Sequence, residues 1–444
     1  MTTKIFLIHG WSVKTTQTYQ ALHLKLAEQG YQLEDIYLGR YLSLENHIEI
    51  RDIAKAMHRA LLERITDWSQ PFHFITHSTG GMVAKYWILN HYKGSIAKQK
   101  PLKNVVFLAA PNFGSRLAHH GRTMLGEIME LGETGKKILE SLELGSAFSW
   151  DVNEQFFNAS NWKDKEIKFY NLIGDRVKTD FFKSKIFPAA FESGSDMVIR
   201  VAAGNQNFVR YRYDSQKDSF TVVNELKGIA FGALYQYTHS NDDYGILNSI
   251  KKSSTLENHQ ALRLIVECLK VSGDKEYENV VAQLAAATKE TREKRQGYAQ
   301  LDFRFRDDEG FPIDDYVVEL GVMVNGKPKP SKTVDDVHKN KITPNHLTVF
   351  INLKELEPNL KYFINIKSIS ESSMYSYDPA VRTIELASNE ITKIIREDHT
   401  TQIDVILSRT PAKNLFMFHR GDDEDLHVTW SRYGETKSTK QGIK

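Results

Sequence analysis

The sequence predicts an α/β domain built on a parallel sheet, followed by a C-terminal antiparallel β-sandwich. Three observations carry this. Up to about Ser254, short runs that are apolar throughout alternate with amphipathic stretches, the pattern of buried parallel strands joined by crossover helices. From Thr255 to about Arg295 the spacing is helical and closes on the charged "TKETREKR" before Gly297. Beyond Gly297 apolar residues alternate singly, as in Leu347, Val349, Ile351 and Leu353, which is the mark of strands with one buried face. The expected division is therefore 1–296, with a helical linker at about 255–296, and 297–444.

In chain order, "IFLIHG", "FHFITHS", "NVVFLAAP" and "IKFYNLIG" are the buried strands, with Leu44 to Trp68 as an amphipathic crossover. After "PNFGS" the chain inserts "RTMLGEIMELGETGKKILESLELGSAFSW". Its Leu125, Ile128 and Met129, then Ile138, Leu139 and Leu142, fall at helical spacing around the hinge "ELGETG". A lid at about 116–160 is expected, its apolar face either covering an acyl chain or packing on the core. The second half gives "AQLDFRFRD", "YVVELGVMV", "HLTVFINLKEL", "LKYFINIKS", "VRTIELA", "QIDVILS", "LFMFH" and "LHVTWSRY" as sandwich strands. Its acidic turns "RDDEG", "IDD" and "GDDED" carry no complete calcium-ligand pattern and read as solvated loops, so no metal and no cofactor is expected.

A length of 444 residues suits two cores. With 41% apolar residues and a formal net charge of +2, the composition is that of a globular chain with no nucleic acid partner. The single cysteine, Cys268, sits in the helical "ALRLIVECLK" and reads as a buried thiol, which leaves no disulfide framework. No apolar run is long enough to span a bilayer, and "KIFLIHG" opens the chain without a signal segment, so cytoplasmic synthesis without a Sec signal is expected.

Chemistry enters at "PFHFITHSTGG". An apolar strand runs into Ser78 and is followed at once by the helical "MVAKYWILN", the strand, sharp turn and helix of a nucleophile elbow. The serine of such a turn is held in an unfavourable backbone conformation, so the residues two before and two after it need to be small: Gly80 is, and Thr76 is bulkier than usual. The helix N-terminus directs free N–H groups toward the place where an oxyanion forms, and Thr79 supplies one of them. A base and an acid must follow. His239 in "YQYTHSNDDYGIL" is a loop histidine anchored by Ile246 and Leu247, whereas its rival His259 falls in the helical "LENHQALRLIVECL". His77 points away from the serine in an elbow, and His119 and His120 fall in the lid. Two aspartates compete for the acid, Asp175 directly after "IKFYNLIG" and Asp196 in "SGSDMVIRVAAGN".

Five segments, "HGW", "THSTGG", "LAAPNFGSRLAHHG", "SDMV" and "THSNDDYGIL", together resemble the α/β-hydrolase lipases and phospholipases over about Lys4 to Ser254, including bacterial lipases and type VI secretion lipase effectors. The resemblance implies an α/β-hydrolase fold and a Ser-Asp-His order of the triad, with Asp196 favoured because "SDMV" is similar to the Ser-Asp-x-Val segment of these lipases. It implies Trp11, beside His9-Gly10, as the second oxyanion donor with Thr79; the helical spacing of the insertion makes Leu125, Ile128 and Met129 the candidate lid residues, to meet substrate or to pack on the core. Thr76 and Met197 depart from the pattern, each standing where glycine is common. The implied function is hydrolysis of carboxylic esters of lipids through an acyl-enzyme; the alternatives are a soluble-ester carboxylesterase or thioesterase, or a non-catalytic hydrolase-fold binding module. Implied partners are a lipid or ester substrate, a membrane surface through the sandwich, and, for an effector, leaderless secretion machinery and an immunity partner.

Overall fold

A computed structural model of the protein describes residues 3–10, 19–36, 46–116, 118, 135–159, 162, 164–177, 192–217, 219–357, 359–370, 374–378, 380–386, 388–413, 427–429 and 437–439. Trp11, Leu125, Ile128, Met129, His119, His120 and the turn "GDDED" lie outside the described residues.

The apolar runs of the first half become strands β1 (Thr3–Ile8), β2 (Tyr31–Ile36), β3 (Phe72–His77), β4 (Leu102–Leu108) and β5 (Lys168–Gly174). The chain then makes a hairpin, β6 (Phe208–Asp214) and β7 (Ser219–Leu226), before β8 (Ala230–Leu234). Strands β2-β1-β3-β4-β5-β8 form one sheet in which every pairing is parallel. Alternate residues feed two cores, as a pleated strand requires. Phe6, Ile8 and Phe74 pack with Ile53, Met57 and Trp87 from the helices Ile50–Arg64 and Thr79–Asn90. Ile5, Leu7 and Ile75 pack with Leu22, Leu262 and Leu284 from the helices Gln20–Glu28, Gln260–Lys270 and Asp274–Lys294 on the other side. Cys268 is fully buried there, and burial pushes its thiol well above the usual range.

The second half supplies β9 (Tyr298–Asp307), β10 (Tyr316–Val324), β11 (Lys327–Pro330), β12 (Val334–Lys339), β13 (His346–Asn352), β14 (Lys361–Ser368), β15 (Tyr375–Asp378), β16 (Val381–Leu386) and β17 (Thr400–Pro411). An antiparallel sheet β11-β10-β14-β16 packs through Leu320, Ile364 and Ile384 onto a larger sheet whose order is β12-β13-β9-β17-β6-β7. This larger sheet differs from expectation twice. Strand β17 runs parallel to both β9 and β6, so the sheet is mixed rather than antiparallel. And hairpin β6–β7, which precedes the expected boundary at 297, belongs to it. The reason lies in the alternation of β6: Val209, Tyr211 and Tyr213 enter the sandwich core, while Arg210 turns to the first domain. Of the predicted strand "LHVTWSRY", residues His427–Thr429 are described as a strand, and "LFMFH" lies outside the described residues.

The outer face of the larger sheet is polar and meets the first domain. Arg210 donates from Nε to Gln402 Oε1 at 3.0 Å and from Nη1 to Glu154 Oε2 at 2.8 Å. Asp302 is fully buried there; burial pushes its carboxyl up to about 7, although Thr348 Oγ1 and Gln300 Nε2 donate to it at 2.8 and 2.9 Å. In the described part of the expected lid, Ile138, Leu139 and Leu142 of helix Lys136–Leu142 sit in the first core, so this helix packs rather than presenting a free apolar face.

Candidate active site

Strand β3 ends at His77, and Ser78 turns the chain into the helix that begins at Thr79. Its φ of 54° and ψ of −131° lie where side-chain-bearing residues seldom go, at a cost of order 1–3 kcal/mol. The helix starts so close to the end of β1 that a Cβ on Gly80 would lie 2.3 Å from the Ile8 carbonyl oxygen. Gly81 faces Ala110 and Thr76: a Cβ there would lie 2.5 Å from Ala110 Cβ and 3.3 Å from Thr76 Oγ1. Gly10 stands against the serine, with its Cβ position 2.9 Å from Ser78 Cβ, which brings the His9-Gly10 loop beside the nucleophile position. His9 is held in turn by Asp35, whose Oδ1 lies 2.8 Å from His9 Nε2.

His239 reaches the turn from the loop after β8. Its Nε2 is 2.9 Å from Ser78 Oγ and its Nδ1 is 2.9 Å from Asp196 Oδ2. A carboxylate accepts, so Nδ1 carries the proton and Nε2 of the neutral ring accepts from the serine hydroxyl. Asp196 Oδ1 accepts from the backbone N–H groups of Val198 at 3.0 Å and Ile199 at 2.8 Å. Asp196 and His239 are buried, and the His239 N–H donates to the Asp196 carbonyl at 2.8 Å. Met197 has a φ of 82°, a conformation that glycine adopts freely and other residues rarely do. Ile246 and Leu247 are buried behind the histidine loop.

The rival residues have other partners. Asp175 Oδ2 accepts from Arg292 Nη1 at 2.7 Å, and Arg292 Nε donates to Asp398 at 2.8 Å, so this aspartate joins a buried ion cluster with the linker helix. His259 is not inside a helix: it caps one, accepting from the Leu262 N–H at 3.2 Å. His77 donates from Nε2 to the His239 carbonyl at 3.0 Å; burial, with the facing His239, holds its imidazole down at about 3 and hence neutral. Sequence reasoning missed Lys85, which is buried and pushed down to about 7 by that burial. Its Nζ donates to Asn153 Oδ1 at 2.6 Å and Asn112 Oδ1 at 3.3 Å, tying the "PNFGS" loop to helix Ala147–Asn158. Helical spacing gave no signal for a lysine facing inward. Among the described residues no group of three or more His, Cys, Asp or Glu could hold a metal ion, and no helix is long and apolar enough to cross a membrane.

A parallel sheet wound on both faces, with a serine on a strained strand-to-helix turn, defines an α/β-hydrolase. No protein-family model matches the chain, and no curated protein matches it in sequence. Among solved structures, phospholipase PlaB from Legionella pneumophila is similar with a TM-score of 0.84 and 27% sequence identity, covering 99% of this chain and 100% of that one. A structure of the same protein in complex with thio-NAD gives the same values. The mature lipase BlEst2 of Bacillus licheniformis is a remote likeness, with a TM-score of 0.36 and 18% identity over 46% of this chain and 79% of that one. The chain thus has the α/β-hydrolase fold, and over nearly its whole length it is similar to a phospholipase.

Proposed function

We propose that the protein is a phospholipase that cleaves carboxylic esters of lipids through an acyl-enzyme on Ser78. The observation that carries this is the hydrogen-bonded chain from Ser78 Oγ through His239 to Asp196 at the end of β3, and the similarity to PlaB supports the lipid substrate. In this reading His239 Nε2 takes the hydroxyl proton as Ser78 Oγ bonds to the ester carbonyl carbon. The oxyanion is met by the N–H of Thr79 and by one from the His9-Gly10-Trp11 loop. Collapse breaks the ester C–O bond, and the imidazolium gives its proton to the leaving alcohol. Water then repeats the sequence on the acyl-enzyme, with His239 as base, and releases the fatty acid. Asp196 holds the Nδ1–H tautomer throughout.

The test is lipid profiling with purified wild type and Ser78→Ala on phospholipid vesicles, alongside labelling by a fluorophosphonate. Wild type should release fatty acid and take the label at Ser78; the variant should do neither while keeping its melting temperature. Turnover retained by a folded Ser78→Ala variant would refute the assignment.

A further inference from the structure

The loop that carries Asp196 is short and internally bonded. Asp196 N–H donates to the Ile199 carbonyl at 3.1 Å, and Val201 N–H closes back to the Gly194 carbonyl at 2.9 Å. These bonds shape the loop, and the His239 N–H to Asp196 carbonyl bond at 2.8 Å and the Ser115 Oγ to Val198 carbonyl bond at 2.5 Å tie it to the first domain. On its other side lies the sandwich. Gly194, with φ of +69°, rests so closely on Tyr298 of β9 that a Cβ would fall 2.2 Å from the ring. Arg200, at the loop's end, is buried. Its Nε lies 3.1 Å from Glu192 Oε2, which clasps the two ends of the loop together. Its Nη2 lies 2.8 Å from Asp335 Oδ2 on β12, and its guanidinium carbon sits 4.1 Å from the centre of the Phe350 ring on β13. Arg116 repeats the tie, bridging Glu192 and, at 2.6 Å, Asp336. The next turn is pinned as well: Thr400 Oγ1 donates to the Ala202 carbonyl at 3.1 Å, and Asn205 Nδ2 to the Asp398 carbonyl at 2.8 Å.

We propose that the β-sandwich holds the triad acid in register, and that Arg200 is the positioning residue through which it does so; this rests on the reading of Asp196 as the acid. Arginine suits the task. Its planar fork joins Glu192 and Asp335 at once while its face stacks on an aromatic ring, a combination that the single point charge of lysine does not reproduce. An error of about 1 Å in the position of a catalytic group can cost on the order of 100-fold in rate. Loosening the loop therefore lowers turnover without altering how substrate binds.

The experiment measures kcat and KM on a short soluble ester, and the rate of fluorophosphonate labelling at Ser78, for full-length Arg200→Lys, Asp335→Asn and Asp196→Asn and for the two double variants containing Asp196→Asn. Asp335 is partly exposed, so its substitution keeps the test open if Arg200 variants fold poorly. Arg200→Lys should lower kcat about 10- to 100-fold and Asp335→Asn by a smaller factor of the same kind, with KM little changed. Neither should lower the rate further once Asp196 is asparagine, because no carboxylate is left to position. Unchanged kcat in both single variants beside a crippled Asp196→Asn would overturn the proposal. So would equal proportional losses in the two backgrounds. Full turnover by Asp196→Asn would instead remove the triad reading, and the proposal with it.

Discussion

Replacing Asp196 by asparagine exchanges one atom facing His239 and reverses a hydrogen bond. The side chain cannot flip to hide the change, because its Oδ1 must go on accepting from Val198 N–H at 3.0 Å and Ile199 N–H at 2.8 Å. The new amide N–H then points at His239 Nδ1, 2.9 Å away, and needs a lone pair there. The imidazole answers by moving its proton to Nε2, which faces Ser78 Oγ at 2.9 Å and no longer accepts from it. The cation that forms on attack also loses its counter-charge. In a serine protease the corresponding change costs about 10⁴ in kcat, which is about 5.4 kcal/mol of barrier. Asp175→Asn is the control. It removes a charge from a buried cluster in which Arg292 keeps Asp398, so it should lower stability by about 1–3 kcal/mol and leave turnover per folded molecule near wild type. Both variants are assayed on a soluble ester with active-site titration and a melting curve. A tenfold or smaller loss for Asp196→Asn, or the larger loss for Asp175→Asn, would refute the assignment of the acid.

Two further outcomes are expected. Asp302 binds a proton on folding between its ordinary value of 3.8 and the value of about 7 that burial gives it, so its contribution to stability falls as pH rises through that window. One such group accounts for about 1.4 kcal/mol per pH unit. Asp302→Asn, whose amide keeps the bonds from Thr348 and Gln300, should therefore flatten but not abolish the fall in melting temperature from pH 4 to 7, since Asp398 is pushed up to about 7 by the same cause. An unchanged slope would contradict this. Where the sequence predicts a lid, Ile128→Ser with Met129→Ser should reduce activity on long-chain phospholipid dispersions far more than on a short ester. Equal loss on both, with a lower melting temperature, would identify these residues as core.

The parts of the fold that were legible are those whose pattern is local. β1, β3, β4 and β5 are largely buried on both faces and therefore read as short runs rich in apolar residues. β2 reads "YQLEDI" because it is the edge of the sheet and half exposed, so it offers no such run, while β8, "AFGAL", is apolar but only five residues long. β12, "VDDVHK", is polar because its aspartates face Arg200 and Arg116 rather than an apolar core. The serine turn was legible for the same reason, being a strand, a turn and a helix in consecutive residues. The choice between two aspartates was not local. It turns on Arg292, which takes Asp175 from 117 residues away, and no spacing within the loop records that. The clasp of Arg200 on Asp335 was silent for the same reason.

Hairpin β6–β7 has a consequence for how the chain comes to be folded. During synthesis β6 emerges early, yet its parallel neighbour β17 brings Gln402 to Arg210 only 192 residues later. Until then β6 has β7 on one side and an open row of backbone donors and acceptors on the other, a template for the wrong strand. Pairing β6 with β17 closes a stretch of 192 residues, a contact far apart in sequence and hence of the kind that slows folding. A chain cut at residue 296 would keep every member of the Ser78–His239–Asp196 set and still lack the strand that covers this edge. The hydrolase half therefore has this sheet edge covered only once β17 has been synthesised.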